Sequence, residues 1–248
     1  MLTEERYHEI LELLNKKGAV TVIELTKVLQ TSESTIRRDL NALAKMGKIN
    51  KVHGGATALE KMMQIEENME IKSMRFQEEK EKIAQYAASL IRDGDFIYID
   101  AGSTTDKLVD AISNMNATYV TNGIIHARKL TQRGHKVYII GGEFKPVTEA
   151  IVGAQALKSI SMFNFTKCFL GANGIHKTGG YTTPDVDEAL VKAEAIKRSF
   201  VSFVLADHSK FGAVSATVFG DLRQACIITD ELPDKTYQEI TIIKEVLK

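Results

Sequence analysis

Ser32-Glu33-Ser34-Thr35-Ile36-Arg37-Arg38-Asp39-Leu40, with Lys48-Ile49-Asn50-Lys51-Val52-His53-Gly54-Gly55-Ala56 shortly downstream, decides the reading of the first part of the chain. Ser32 is a good helix N-cap, because its hydroxyl can accept from a first-turn N–H that has no partner inside the helix. Ile36, Leu40 and Leu43 recur at i, i+4 and i+7 and share one face. Glu33, Ser34, Thr35, Arg37, Arg38 and Asn41 are left mainly on the other faces. Gly47 stands where a helix-ending glycine is expected. A preceding helix is expected from Thr21: Thr21 and Glu24 fit the capping-box spacing, and Leu25, Val28 and Leu29 supply an apolar face. An earlier helix is expected over Thr3 to Lys17, capped by Thr3 and stopped by Gly18, with Ala19-Val20 as a short extended link. Two short helices joined by a tight turn at Gln30-Thr31, the second basic on its outer face, describe a helix-turn-helix. Ile49 and Val52 fit the two arms of a brief hairpin, which Lys48, Lys51 and His53 would line with donors, as a wing over a phosphate backbone requires.

The charge argument is local. The 248-residue chain has 32 Lys plus Arg against 32 Asp plus Glu and is neutral overall. Between Gln30 and Ala56, however, five basic residues stand against Glu33 and Asp39, leaving +3. Phosphate neutralisation gives affinity for DNA, and base-edge contacts give sequence preference. Arg37 and Arg38 point about 100° apart on a helix. One is expected to meet phosphate or base, and the other to do so less directly or to pair with Asp39 or an acidic neighbour. The expected DNA contacts are Ser32, Ser34, Thr35, Arg37, Arg38, Asn41, Lys48, Lys51 and His53.

Outward from this region the pattern changes twice. Residues Thr57 to Lys82 contain no Gly or Pro, with seven acids (Glu60, Glu66, Glu67, Glu70, Glu78, Glu79, Glu81) and five bases (Lys61, Lys72, Arg75, Lys80, Lys82). They read as a partly helical connector, supported by the Glu78–Lys82 i, i+4 pair. From Glu79 onward, apolar runs such as Phe96-Ile97-Tyr98-Ile99, Tyr119-Val120, Val137-Tyr138-Ile139-Ile140, Cys168-Phe169-Leu170 and Phe200 to Leu205 alternate with helical stretches. Continuous apolar strands between helices argue for a mainly parallel α/β sheet covered on both faces. Ligands of such sheets bind at the carboxyl ends of strands. There the chain places Asp100-Ala101-Gly102-Ser103-Thr104-Thr105, Thr121-Asn122-Gly123, Gly141-Gly142, Gly171-Ala172-Asn173-Gly174 and Asp207-His208-Ser209-Lys210. Gly102 lets the backbone approach a guest, three hydroxyls stand beside open N–H groups, and the helix dipole favours an anion. Lys210 is a mobile point charge suited to phosphate. These loops are expected to ring one pocket.

With these residues in view, the chain resembles the DeoR family of transcriptional regulators along nearly its whole length. In that family an S-x-x-T-I-R-R-D-L recognition helix precedes an H-G-G-A wing end, as in Ser32–Leu40 and His53–Ala56 here. The second half is similar to the family's sensor domain, which is akin to ribose-5-phosphate isomerase. The matching runs are Asp100-x-Gly102-Ser103-Thr104-Thr105, Thr121-Asn122, Gly141-Gly142, Gly171-Ala172-x-Gly174, Glu188-x-x-x-Lys192 and Asp207-x-Ser209-Lys210. The resemblance implies an α/β chain in three parts: a winged helix-turn-helix over 1–57, a connector over 58–78, and a Rossmann-like sensor over 79–248. It implies a repressor of a carbohydrate operon, relieved by a phosphorylated sugar or polyol, acting on double-stranded operator DNA as a homodimer or homotetramer. The effector site it implies, joined to the reading of the loops, is Asp100, Gly102, Ser103, Thr104, Thr105, Asn122, Gly141, Gly142, Gly171, Glu188, Lys192 and Lys210.

Other classes fare worse. An isomerase carrying an added DNA-binding domain is the alternative. The related isomerases have Asp-Gly-Ala-Asp where this chain reads Leu170-Gly171-Ala172-Asn173, although Glu188 keeps another acidic position. Proton abstraction needs a placed carboxylate base, so no catalysis is expected. None of the six histidines falls in a metal-ligand spacing, and no cofactor fingerprint is present. Cys168 and Cys226 lie in apolar runs and read as buried free thiols of a reducing compartment. No stretch approaches the roughly 20 apolar residues of a membrane span, and the acidic start MLTEERYHEI is unlike a signal peptide. A cytoplasmic protein without a membrane partner is expected.

Overall fold

The computed structural model describes residues 2–58, 62–63, 68–113 and 116–247, and falls into two compact units, Met1–Glu60 and Lys61–Lys248. The first unit contains α1 (Thr3–Lys17), β1 (Ala19–Thr21), α2 (Val22–Val28), α3 (Glu33–Lys45), β2 (Ile49–Val52) and β3 (Gly55–Ala58). Its core is Ile10 and Leu14 of α1, Leu25 of α2, and Ile36, Leu40 and Leu43 of α3. The caps follow the chemistry of the sequence: Thr21 Oγ1 accepts from Glu24 N–H at 3.1 Å, and Ser32 Oγ from Thr35 N–H at 3.2 Å. Gly47 ends α3 at φ +66°, a conformation only glycine adopts cheaply.

Several expectations need correction here. Thr3 lies inside α1. Leu2 is the N-cap, and its N–H donates to Glu5 Oε2 at 2.8 Å. Val28 is 51% exposed, because the face that α2 buries is the i, i+3, i+7 row of Val22, Leu25 and Leu29, and Val28 lies off it. The Ala19-Val20 link is a true strand, pairing antiparallel with β3 in a sheet of order β1-β3-β2. Ile49 and Val52 belong to one strand, three residues apart and so on opposite faces: Ile49 is buried and Val52 exposed.

The second unit begins with β4 (Met62–Met63), α4 (Met69–Met74) and α5 (Gln77–Ser89). Much of the connector read over 58–78 thus packs with the sensor; its Glu60, Lys61, Glu66 and Glu67 lie outside the described residues. Next come β5 (Phe96–Ile99), α6 (Ser103–Ala111), β6 (Thr118–Thr121), α7 (Ile124–Gln132) and β7 (Lys136–Ile139). The hairpin β8 (Glu143–Lys145) and β9 (Ala150–Val152) leads to α8 (Ala154–Ile160) and β10 (Phe165–Gly171). After β11 (Gly174–His176) and β12 (Gly180–Thr183) come α9 (Val186–Lys197) and β13 (Ser199–Leu205). The chain closes with β14 (Val214–Ser215), β15 (Thr217–Gly220), β16 (Cys226–Thr229) and β17 (Ile243–Glu245).

Seven strands form one parallel sheet of order β17-β16-β13-β10-β5-β6-β7. Alternate residues of each strand feed opposite cores. Tyr98, Cys168 and Val204 pack on one side with Ala156 and Ile160 of α8 and Val191 and Ala195 of α9. Ile97, Ile99, Phe169 and Leu205 pack on the other with Ile83 and Ala87 of α5 and Leu108 and Val109 of α6. Both cysteines are unpaired, Cys168 buried and Cys226 half-buried. No helix among the described residues is long and apolar enough to cross a membrane. Parallel β5, β10 and β13 end on the same edge, and this brings their following loops together.

Gly55 is the tightest point of the first unit. A Cβ there would lie 2.1 Å from the Val20 carbonyl oxygen. Gly55→Ala is therefore expected to separate β1 from β3. Hydrogen exchange should show the amides of Ala19–Thr21 losing protection while those of Phe96–Ile99 keep theirs; unchanged protection in β1 contradicts the packing.

Candidate functional site

The first unit presents a basic face. Ser34, Arg37, Arg38 and Asn41 on α3 are exposed, as are Lys48, Lys51 and His53 of the wing; Thr35 is half-buried. Arg37, Lys51 and His53 line one shallow hollow of about 310 Å³ with Gly54 and Gly55, so helix and wing act on one surface. Ser32, though exposed, spends its hydroxyl on the cap and on contacts with Ser34 and Thr35 at 2.9 Å. Asp39 does not pair with a recognition-helix arginine. It is 2% exposed and is held by Arg6 of α1 through Nε at 2.8 Å and a second nitrogen at 3.1 Å. The acidic partner of Arg37 is Glu33, one turn back at 3.3 Å.

In the second unit a cleft of about 350 Å³ opens at the carboxyl edge of the sheet. Gly102, Ser103 and Thr104 at the start of α6 line it, with Gly171, Glu188, Lys192 and Lys210. These seven of the twelve expected effector residues meet there. The other five do not line it. Asp100 lies beneath the floor, 2% exposed and ion-paired with Lys192. Thr105 turns inward: its hydroxyl lies 2.6 Å from Asp100 O and 2.9 Å from Gly102 O, so it braces the loop. Asn122 is buried, and its Oδ1 accepts from Ala101 N–H at 2.8 Å. Gly141 and Gly142 stand apart beside the β8–β9 hairpin, where a Cβ on Gly142 would strike Val152 O at 2.6 Å. Gly142 thus serves chain packing, whereas nothing lies within 4 Å of a Cβ placed on Gly141. Nor do Ser103 and Thr104 cap α6: Gly102 is the N-cap and no side-chain cap bond forms.

The sequence reading missed the cleft's opposite wall. Lys72, Arg75 and Phe76, together with Lys80 of α5, line it across from α6. The only sequence signal was basic spacing in a segment that looks like a solvated connector. Lys80 is 3% exposed and its ammonium donates to Lys72 O. Burial pushes its pKa down to about 8; Asp207 opposes this, while Lys210, Lys72 and Lys107 act with it. Cations thus crowd the cleft, with Lys80 the most deeply buried of this wall. Lys210 has no carboxylate partner among the described residues.

The acids of the cleft are differently placed. Asp207 Oδ1 accepts from Ser209 N–H at 3.1 Å and from the Ser209 hydroxyl. Its Oδ2 is buried with no hydrogen-bond partner among the described residues. Glu188 accepts from Thr148 at 2.6 Å, Lys145 at 3.2 Å and Thr183 at 3.3 Å. Burial raises its pKa, but Lys192, Thr148 and Lys145 outweigh burial and hold it below the ordinary carboxylate value. Among the described residues no group of three His, Cys, Asp or Glu is placed to hold a metal ion.

A winged helix-turn-helix ahead of a parallel α/β domain with a cation-rich cleft is the architecture of a two-domain transcriptional regulator. The chain matches a DeoR-like helix-turn-helix domain over residues 6–62 and a DeoR C terminal sensor domain over residues 75–231. It belongs to the DeoR family. It is 43% identical over 250 residues to an uncharacterized HTH-type transcriptional regulator FruR of Bacillus subtilis (strain 168), covering 99% of each chain. It is 35% identical over 248 residues to a lactose phosphotransferase system repressor of Staphylococcus epidermidis, covering 98% of each. Ribose 5-phosphate isomerase A of Methanocaldococcus jannaschii aligns over 54% of each chain with a TM-score of 0.41 and 16% identity. The protein is thus a transcriptional regulator.

His126 ties α7 to the loop under the cleft. Its Nε2 is 3.2 Å from Thr105 Oγ1, and burial lowers its pKa from 6.5 to about 4. The folded state keeps it neutral while the unfolded chain takes up the proton. Stability should therefore fall as pH drops from about 6.5 towards 4, by up to roughly 1.4 kcal/mol per pH unit from this one group. Denaturant unfolding between pH 7 and 4.5 is expected to show a shallower fall for His126→Gln than for the wild type; equal slopes contradict the assignment.

Proposed function

We propose that the protein represses a carbohydrate-metabolism operon and is released from its operator by a phosphorylated sugar or polyol bound in the cleft. The observation that carries this reading is the joining of the α6 N-terminus, Lys210 and the Lys72–Lys80 wall around one cavity large enough for a small ligand. Five basic side chains, of which Lys192 is paired with Asp100, and the open N–H groups of a helix start suit a phosphate. The unsatisfied Asp207 Oδ2 suits a sugar hydroxyl, because an acceptor left unpaired in a buried site costs about 1–3 kcal/mol until a donor arrives. The names of the relatives agree with sugar-linked control. The isomerase alternative loses support: Leu170 and Asn173 replace its carboxylates, and Glu188 is already saturated by donors.

On the DNA side, a homodimer or homotetramer places two copies of α3 in successive major grooves, with Arg37, Arg38, Lys48, Lys51 and His53 facing phosphates or bases. The protein acts in the cytoplasm, where its operator lies. Effector control requires that the ligand bind the DNA-free and DNA-bound states with different affinity.

A thermal-shift screen tests the ligand assignment. Fructose 1-phosphate, tagatose 6-phosphate, glycerol 3-phosphate and deoxyribose 5-phosphate are compared with their unphosphorylated parents. At 100 times its dissociation constant, a true effector adds about 2.7 kcal/mol. One phosphorylated compound is expected to raise the melting temperature while its parent does not; silence across the panel removes the sugar-phosphate assignment. Affinity should also depend on pH. Burial lowers the Lys80 pKa to about 8, and a nearby anion would raise that value. Binding measured calorimetrically is expected to be strongest below pH 8 and to weaken above it; affinity that stays constant to pH 9.5 contradicts a charged Lys80 at the anion.

A further inference from the structure

α4 holds its place with little help from burial. None of its side chains is buried, and Ile71 and Met74 are exposed. It stands as a wall between two hollows: the cleft on the side of Lys72, and on the side of Glu70, Ser73 and Met74 a second cavity of about 580 Å³ bordered by α6 and α7. A helix of six residues does not persist through its own hydrogen bonds. Polar ties fix its position: Asn68 Oδ1 caps Ile71 N–H at 2.9 Å, Met69 N–H donates to Val147 O at 3.3 Å, and the Lys80 ammonium caps the Lys72 carbonyl.

The joint with α5 is unusual. Phe76 sits at φ +53°, ψ +45°, in the left-handed region that a bulky side chain avoids. Such a conformation persists only where its surroundings impose it. The Phe76 ring meets the ring of His208 edge-on at 4.9 Å and 79°. His208 is itself clamped: its Nδ1 lies 2.5 Å from Asp230 Oδ2, and its N–H donates to Asp230 Oδ1 at 2.7 Å. Asp230 is buried at the end of β16. His208 also belongs to the short turn His208–Lys210 that follows Asp207 and lines the cleft with Ser209 and Lys210.

We propose that Phe76 is a positioning residue of the effector site: seated on His208, its ring holds α4 against the cleft, and a ligand gripping the Asp207–Lys210 turn tightens that seat. The inference rests on the sugar-phosphate reading of the cleft. Occupancy is then read out by α4, the first helix of the sensor unit.

The test combines calorimetry with hydrogen exchange on the full chain, using the four sugar phosphates named above. In the wild type, the compound that binds is expected to slow exchange at the Ile71–Phe76 amides at least fivefold. Phe76→Ala, and Phe76→Gly in which the left-handed backbone is no longer strained, are each expected to bind it at least tenfold more weakly and to lose that protection. The amides of Phe96–Ile99 should stay as protected as before, which separates positioning from loss of fold. Phe76→Tyr keeps the ring and should bind within about twofold of the wild type. If the wild type binds but α4 exchange does not respond, or if Phe76→Gly binds like the wild type, this inference is overturned and the sugar-phosphate reading stands. If no sugar phosphate binds the wild type, both are overturned.

Discussion

Beneath the cleft lies one buried ion pair on which the sensor depends. Lys192 of α9 reaches Asp100 at the end of β5 and also donates to Gly171 O at 3.1 Å; Gly171 N–H returns to Asp100 Oδ2 at 3.1 Å. A strand end, a neighbouring strand end and a helix are thereby fixed to one another. Burial raises the Asp100 pKa despite the opposing effect of Lys192. Such a pair contributes little net stability, because desolvating both ions offsets much of their attraction. Removing one partner would strand the other, at roughly 3–5 kcal/mol. The pair therefore acts as a specification of geometry. It sets where the Gly102–Thr104 loop starts α6, where the Gly171–Asn173 loop leaves the sheet, and how α9 presents Glu188.

The first unit uses a comparable device. Arg6 grips the buried Asp39 and so fixes α1 against α3. This explains why two adjacent arginines and an aspartate in one short stretch do different work. Asp39 is committed to the fold, and the arginines remain outside. The Arg37–Glu33 pair is exposed on both sides and is worth only a few tenths of a kcal/mol. A phosphate can displace it readily. In both units a buried ion pair fixes neighbouring elements, Arg6–Asp39 in the first and Lys192–Asp100 in the second.

Most of the architecture was legible in the sequence because periodicity and capping act locally. Ser32, Thr21 and Gly47 mark helix ends through their own backbone chemistry, and Phe96–Ile99 is apolar throughout because both of its faces are covered. The errors fall where tertiary context decides. Val28 has a core-like spacing, yet the row that α2 buries is Val22, Leu25 and Leu29. Gly141 and Gly142 look like a ligand loop, yet they stand apart from the cleft and Gly142 makes room for β9. Thr105 and Asn122 are polar residues at strand ends, as ligand contacts would be, yet their groups are spent on the loop itself. Lys72, Arg75 and Lys80 escaped notice because nothing local distinguishes a lysine that will line a cleft from one on a solvated helix. Only the packing of α4 and α5 beside the carboxyl edge makes that difference.

In the proposed mechanism an anion in the cleft governs the grip of the winged helix on DNA. The most direct test of this mechanism is a titration of the complex between the full chain and a duplex selected by it from random sequence, followed by fluorescence anisotropy at fixed salt. The sugar phosphate that stabilises the protein should release the duplex at concentrations matching its own affinity for the cleft, and its unphosphorylated parent should leave the complex intact. A sugar phosphate that saturates the cleft without changing DNA affinity would contradict the account.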